Sequence, residues 1–151
     1  MSEVVRPRGI TVVAILMVVT AVLTVAFWAF FFAEYEAQSQ SFLARECDAW
    51  FLWERSFPAA DAWMAVTCLA GAMGLWKMRP WGLLFSLVSG GALIFLGLMD
   101  VLFFLQNGLY WPVNFEVVME MVIHVWVLAF GAFVIVYVWG KRGLLAGRQV
   151  R

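Results

Sequence analysis

The chain has 151 residues, of which 65% are hydrophobic and 13% charged, with ten Lys/Arg balanced by ten Asp/Glu. A soluble domain of this length leaves about a third of its unfolded surface in water and cannot hide so many apolar side chains. The composition therefore excludes a soluble enzyme, a disordered chain and a nucleic-acid binder. It indicates a single integral domain of the cell membrane over residues 1–151, with the lipid bilayer as its first partner.

Four apolar segments are long enough to cross about 30 Å of hydrocarbon at 1.5 Å per helical residue. They comprise residues 9–33, 58–76, 81–105 and 111–139. Backbone polar groups in lipid must be satisfied within each segment, so these segments are predicted to be helices. Short connections at Pro80 and Gly108 make the last three antiparallel neighbours. The predicted fold is an all-α, four-transmembrane-helix antiparallel bundle.

Residues 34–57 form the only sizeable connection, and residues 140–151 form a short tail. The connection carries five acidic residues against two arginines. Its apolar side chains recur at spacings close to helical, which predicts a short interfacial helix; an irregular anchored loop is the alternative. These side chains are Phe42, Leu43, Trp50, Phe51 and Trp53.

The basic residues are distributed unevenly around the four segments. Only Arg45 and Arg55 lie in the 34–57 connection. The others precede the first segment, join the second to the third, or follow the fourth: Arg6, Arg8, Lys77, Arg79, Lys141, Arg142, Arg148 and Arg151. By the positive-inside rule, both termini are predicted to be cytoplasmic and the 34–57 connection to lie on the outer face.

The ionisable side chains within the four segments are the candidate site residues: Asp61, Asp100, Glu116, Glu120 and His124. Such groups are costly in hydrocarbon, so they usually face the protein interior and serve a function. Glu116, Glu120 and His124 recur every four residues, which places them on one helix face. Asp100 shares its face with small residues, which let membrane helices pack closely. We expect the five side chains to meet in an outward-facing acidic pocket.

Each candidate also has a simpler structural interpretation. Asp61 lies in the first turn after Pro58, where a carboxylate suits the helix dipole without any further function. Glu116 is near enough to the interface to reach water. For Asp100, Glu120 and His124, which lie deeper, the alternative is interhelical hydrogen bonding. Three further residues are candidates for lining the pocket: Trp28, Trp126 and Cys68.

Carboxylates with one imidazole suit a divalent cation such as Mn, Fe or Zn, or an organic amine, and the candidate metal ligands are Glu120, His124 and Asp100. The sequence favours a non-catalytic role. The chain is then an accessory or structural subunit of a membrane complex, with other membrane subunits or a second copy as partner, or a binder of a cation or small ligand. The alternative is an intramembrane enzyme acting on a lipid or sterol-like substrate, with Glu120 or Asp100 as acid and His124 as base.

Overall fold

A computed structural model describes residues 6–145, and within that range the chain contains helices and no strand. The helices are α1 (Arg8–Ala33), α2 (Tyr35–Ser39), α3 (Phe42–Glu46), α4 (Asp48–Glu54), α5 (Pro58–Trp76), α6 (Pro80–Asn107), α7 (Phe115–Gly140) and α8 (Arg142–Leu145). Four of them, α1, α5, α6 and α7, are long and apolar enough to cross a membrane. This confirms the prediction of an all-α chain with four helices of membrane-spanning length. Arg148 and Arg151 of the predicted tail lie outside the described residues.

Proline, glycine and asparagine set the ends of the long helices. Pro58 and Pro80 occupy the first turns of α5 and α6, where the missing N–H costs no helical hydrogen bond. Gly108 ends α6 in a left-handed conformation with φ of 67°. The Asn114 side chain accepts a hydrogen bond from the Val117 N–H at 3.0 Å and caps α7. The last long helix therefore starts at Phe115, four residues after the predicted start of the fourth segment.

The long helices pack in chain order, with α5 between α1 and α6, and α6 between α5 and α7. Glycines allow the closest of these approaches. A Cβ atom added at Gly74 of α5 would lie 2.3 Å from the Cα atom of Gly82 in α6. Helices α1 and α7 also meet, because the Trp126 indole N–H donates a hydrogen bond to the Thr20 hydroxyl at 3.2 Å. Helices α1 and α7 thus touch through side chains, while the extensive packing lies between helices that are consecutive among the four.

The 34–57 connection forms three short helices, α2 to α4, rather than the single helix or irregular loop expected from the sequence. Two aromatic contacts attach it to the bundle. The Phe51 ring stacks on Phe31 of α1 at 5.8 Å between centroids, and Trp53 stacks on Phe103 of α6 at 4.6 Å. We call residues 42–54 the lid, the bundle end that it covers the loop end, and the opposite end the termini end.

Candidate functional site

Carboxylates from four helices lie together beneath the lid. Asp61 of α5, Asp100 of α6 and Glu120 of α7 all act electrostatically on Glu54 of α4. Asp100 and Glu120 also lie within range of each other. We call Glu54, Asp61, Asp100 and Glu120 the carboxylate cluster. The structure therefore brings three of the sequence-predicted site residues together and adds one from the lid.

Glu54 belongs to the site, although it lies in the 34–57 connection and was not predicted to be a site residue. Its side chain is half-buried between the lid and the bundle. This burial, followed by the negative charges of Glu120, Asp100 and Asp61, raises the pKa of Glu54 well above its usual range. One sequence signal was available: Glu54 follows Trp50 by four residues and Phe51 by three, so it shares their helix face.

Asp61 has a specific partner in α1. Its Oδ2 atom accepts a hydrogen bond from the indole N–H of Trp28 at 2.8 Å. Trp28 is buried, with 8% of its surface exposed. This contact joins α1 to α5 at the loop end, and it gives both residues a structural role beyond the helix-dipole interpretation of Asp61.

Glu116 anchors the lid. Its two carboxylate oxygens accept hydrogen bonds from the backbone N–H groups of Phe42 and Leu43, each at 3.2 Å. These N–H groups belong to the first turn of α3 and have no partner within that helix. Ser41 caps the same turn by accepting from the Ala44 N–H at 3.2 Å. Glu116 thus connects α7 to the lid instead of reaching into water.

His124 is buried, and it lies between a hydroxyl and a carboxylate. The Tyr110 hydroxyl is 2.9 Å from His124 Nδ1, and Glu120 Oε2 is 3.8 Å from His124 Nε2. Burial, followed by the charges of Asp100 and Glu120, raises the pKa of Tyr110, so its hydroxyl stays protonated and can donate to Nδ1. A neutral His124 then carries its proton on Nε2, facing Glu120.

Within residues 6–145, no hydrogen bond to the side chain of Glu54 or Glu120 is found. The indole N–H of Trp53, which is buried and unpartnered in the same range, lies beside Asp100. Across the described chain no Lys or Arg pairs with a carboxylate, and the closest contact is the His124–Glu120 pair. Arg55, next to Glu54, places its guanidinium 5.9 Å from the Tyr35 ring centroid. Among residues 6–145, no basic side chain therefore neutralises the cluster.

The structure does not assemble the metal site expected from Glu120, His124 and Asp100. Among the described residues, no three His, Cys, Asp or Glu side chains are arranged so that they could hold one metal ion. In addition, His124 Nδ1 already contacts the Tyr110 hydroxyl. The residues present do not fit a metal bound by three protein ligands.

The other two candidates for pocket lining lie in different surroundings. Trp126 is 38% exposed and stacks on Phe130 at 5.0 Å. It lines a groove of about 370 Å³ on the surface of α7, together with Val118, Met121, Val122 and Val125. Cys68 is fully buried in the core of the bundle, where its Sγ atom lies 3.7 Å from Met64 Sδ.

Comparison of this chain with protein-family models, with curated proteins and with solved structures gives no match. The fold and the site define a class in physical terms. The chain is a small all-helical protein with four helices of membrane-spanning length, and carboxylates gather under a lid at one end of its bundle.

Proposed function

We propose that this chain is a non-catalytic membrane protein that binds a cationic small molecule in the carboxylate cluster beneath the lid. The observation that carries the proposal is the unneutralised set of Glu54, Asp100 and Glu120, which come from three helices. Carboxylates held together away from water repel one another when ionised, and a bound cation relieves this repulsion. In the ligand-free protein the raised pKa of Glu54 lets a bound proton relieve this repulsion, and the cationic ligand takes the place of that proton.

An organic amine fits the cluster better than a metal ion. A metal ion needs several ligand atoms within about 2–2.6 Å of one point, and the described residues offer no such three-residue set. An amine instead carries several N–H donors and can reach carboxylates on different helices. The half-buried Trp53–Phe103 stack supplies aromatic surface for the apolar body of such a ligand.

The proposed topology has both termini in the cytoplasm and the lid on the outer face of the cell membrane. It is supported by the six basic residues that the described chain places at the termini end, compared with Arg45 and Arg55 at the loop end. In this orientation the carboxylate cluster lies toward the outer face of the membrane, beneath the lid. Two separate fusions at the C-terminus test this topology, one to a fluorescent protein and one to a periplasmic phosphatase. With the C-terminus in the cytoplasm, we expect the fluorescent fusion to be active and the phosphatase fusion to be inactive.

The ligand proposal is tested by thermal unfolding of the detergent-purified protein with phenethylamine and spermidine, beside MnCl₂ and ZnCl₂. At a hundredfold excess over Kd, a bound amine stabilises the folded protein by about 2.7 kcal/mol, which raises Tm by roughly 5–10 °C. We expect this shift in the wild type and its loss in Asp100→Asn and Glu120→Gln. Glu36→Gln is the matched control, because it removes an exposed carboxylate from α2.

Two outcomes would contradict the amine proposal. The first is an unchanged Tm with both amines. The second is an equal shift in the wild type and in Asp100→Asn, because the amine would then act elsewhere. A membrane subunit that co-purifies with the wild type and is lost in Asp100→Asn would instead favour an accessory role, with a partner's basic side chain in the cluster.

A further inference from the structure

A second site is suggested by a groove between α1 and α5 toward the termini end, far from the carboxylate cluster. Its volume is about 420 Å³. Two alanines, Ala14 and Ala72, form its floor, and both are buried. Because their side chains are short, the larger residues on either side stand above them as walls, among them Val18, Leu69 and Met73. These wall residues are 41–52% exposed, so the groove opens onto the surface that faces lipid.

Basic side chains lie at one end of this groove. Lys77 lines it directly, next to Trp76. The Arg6 guanidinium lies 4.2 Å from the Trp76 ring centroid and donates a hydrogen bond to the Trp76 carbonyl oxygen at 2.8 Å. Two cations therefore flank a tryptophan where the apolar groove ends.

The charge around the groove favours an anion. Within residues 6–145, every acidic residue lies between positions 34 and 120 and belongs to the loop-end half of the molecule. In the same range, the charged residues at the termini end are all basic: Arg6, Arg8, Lys77, Arg79, Lys141 and Arg142. A negatively charged group near Lys77 thus meets attraction from several cations and no repulsion from a described carboxylate.

We propose that this groove binds an anionic phospholipid, with one acyl chain between α1 and α5 and the phosphate group at Lys77 and Arg6. The apolar walls match the acyl chain, and Trp76 marks the depth at which an indole ring meets the headgroups. Basic pockets between membrane helices select anionic headgroups for this electrostatic reason. The site does not depend on the proposed amine site, since it shares no residue with the carboxylate cluster.

The groove on α7 provides an internal comparison. It has a similar volume, about 370 Å³, but only apolar side chains and one tryptophan line it. It can accept an acyl chain without recognising a headgroup. We therefore expect the preference for anionic lipid to come from the α1–α5 groove alone.

Native mass spectrometry of the full-length protein, titrated with phosphatidylglycerol and phosphatidylcholine of identical acyl chains, tests the proposal. We expect one tightly bound phosphatidylglycerol per chain and weaker binding of phosphatidylcholine. Lys77→Gln is expected to weaken phosphatidylglycerol binding about fivefold and to leave phosphatidylcholine unchanged, since each basic residue near the membrane surface contributes about 1 kcal/mol. Lys77 is exposed, so this substitution spares the core.

Arg142→Gln is the matched control for charge. Arg142 lies 4.8 Å from the Trp139 ring centroid and donates to the Trp139 carbonyl oxygen at 3.0 Å, as Arg6 does with Trp76. It does not line the α1–α5 groove, so we expect no loss of affinity. Val18→Trp fills the groove and is expected to weaken both lipids, whereas Val122→Trp on α7 leaves the headgroup preference intact.

Three results would overturn the proposal. Equal affinity of the wild type for the two lipids removes the anionic preference. Equal losses in Lys77→Gln and Arg142→Gln assign the preference to general surface charge. A dimer that dissociates in Val18→Trp makes the groove an interface between two copies of the chain, and light scattering of the purified protein detects this.

Discussion

Trp28 and Trp126 both donate an indole N–H to a side chain on another helix, but in different surroundings. Trp28 is buried and reaches Asp61 at 2.8 Å, whereas Trp126 is 38% exposed and reaches Thr20 at 3.2 Å. Trp28→Phe leaves the half-buried Asp61 carboxylate without its donor, so we expect it to lower the free energy of unfolding by about 1.5–3 kcal/mol. Trp126→Phe leaves only the neutral Thr20 hydroxyl without its donor, so we expect it to lower the free energy of unfolding by about 1 kcal/mol or less. Denaturant unfolding in detergent measures both, and equal losses would contradict the assigned role of the Trp28–Asp61 contact.

Glu116 attaches the lid through two backbone N–H groups, those of Phe42 and Leu43. Glu116→Ala leaves both groups without an acceptor, so amide hydrogen exchange over residues 42–46 is expected to accelerate by at least about tenfold, equivalent to 1.4 kcal/mol. Glu116→Gln keeps one acceptor oxygen, so its rate of amide hydrogen exchange over these residues is expected to lie between the rates of Glu116→Ala and the wild type. Glu36→Ala removes an exposed carboxylate from α2 and is the control. Unchanged exchange in Glu116→Ala would show that the lid is held by its aromatic contacts alone.

The lid as an element is expected to respond to pH. Glu54 of α4 faces Asp61, Asp100 and Glu120 from three long helices, and burial and these charges raise its pKa. The raised pKa means that the closed lid favours the protonated acid. The contribution of Glu54 to closure is therefore fully present at pH values below the ordinary glutamate pKa and is lost as the pH rises through the raised value. Three other titratable or charged residues lie near this group of carboxylates. His124 is next to Glu120, Tyr110 is within electrostatic range of Asp100 and Glu120, and Arg55 follows Glu54 in the sequence.

A spin label on Cys47, the residue just before α4, measures this response, because the other cysteine, Cys68, is fully buried. We expect label mobility to rise with pH in the wild type. Glu54→Gln cannot ionise, so its lid is expected to stay closed to a higher pH. Glu46→Gln is the control, since Glu46 is exposed on the lid. Identical mobility profiles in the wild type and Glu54→Gln would refute a role for Glu54.

The long helices could be predicted from the sequence, whereas the short ones could not. Uninterrupted apolar segments and the positions of Pro58 and Pro80 are enough to define α1, α5 and α6, because local composition and length decide whether a segment can span lipid. The helices of the 34–57 connection, α2 to α4, have five to seven residues each, and helices this short depend on tertiary contacts such as the Trp53–Phe103 stack. Sequence periodicity alone does not contain those contacts.

The same distinction applies to the carboxylate cluster. Asp61, Asp100 and Glu120 were predicted because a carboxylate inside an apolar segment is conspicuous on energetic grounds. Glu54 lies in a polar connection, where a glutamate is ordinary, and only the folding of the lid over the bundle brings it to the cluster. Tyr110 was likewise hidden, since nothing in the sequence reveals that it turns inward to His124.

At the scale of the whole molecule, charge and apolar surface are separated along the bundle. Carboxylates lie together under the lid at the loop end. At the termini end of the described chain, all charged side chains are basic, and they lie beside an apolar groove. The two proposed sites therefore attract ligands of opposite charge at opposite ends. Asp61 of α5 belongs to one site, and Trp76 at the end of the same helix lines the other together with the following residue, Lys77, so the position of α5 in the bundle affects both.

The close contact between Gly74 of α5 and Gly82 of α6 fixes that position. A Cβ atom at Gly82 would lie 2.3 Å from the Gly74 carbonyl carbon, and since backbone cannot move aside locally, Gly82→Ala forces the two helices apart. We expect it to lower the free energy of unfolding by about 1–3 kcal/mol. Separation of α5 and α6 also displaces Asp61 relative to Asp100, so the stabilisation by phenethylamine is expected to fall.

Gly91→Ala is the matched control, because it changes the same residue type in the same helix at a position where an added Cβ meets no atom within 4 Å. Alanine is the better helix former by about 1 kcal/mol, so this variant is expected to be as stable as the wild type or more stable. Thermal unfolding of the two variants, with and without phenethylamine, separates helix propensity from helix packing. If Gly82→Ala and Gly91→Ala behaved alike, the α5–α6 approach would not determine the geometry of the bundle, and the coupling between its two ends through α5 would be refuted.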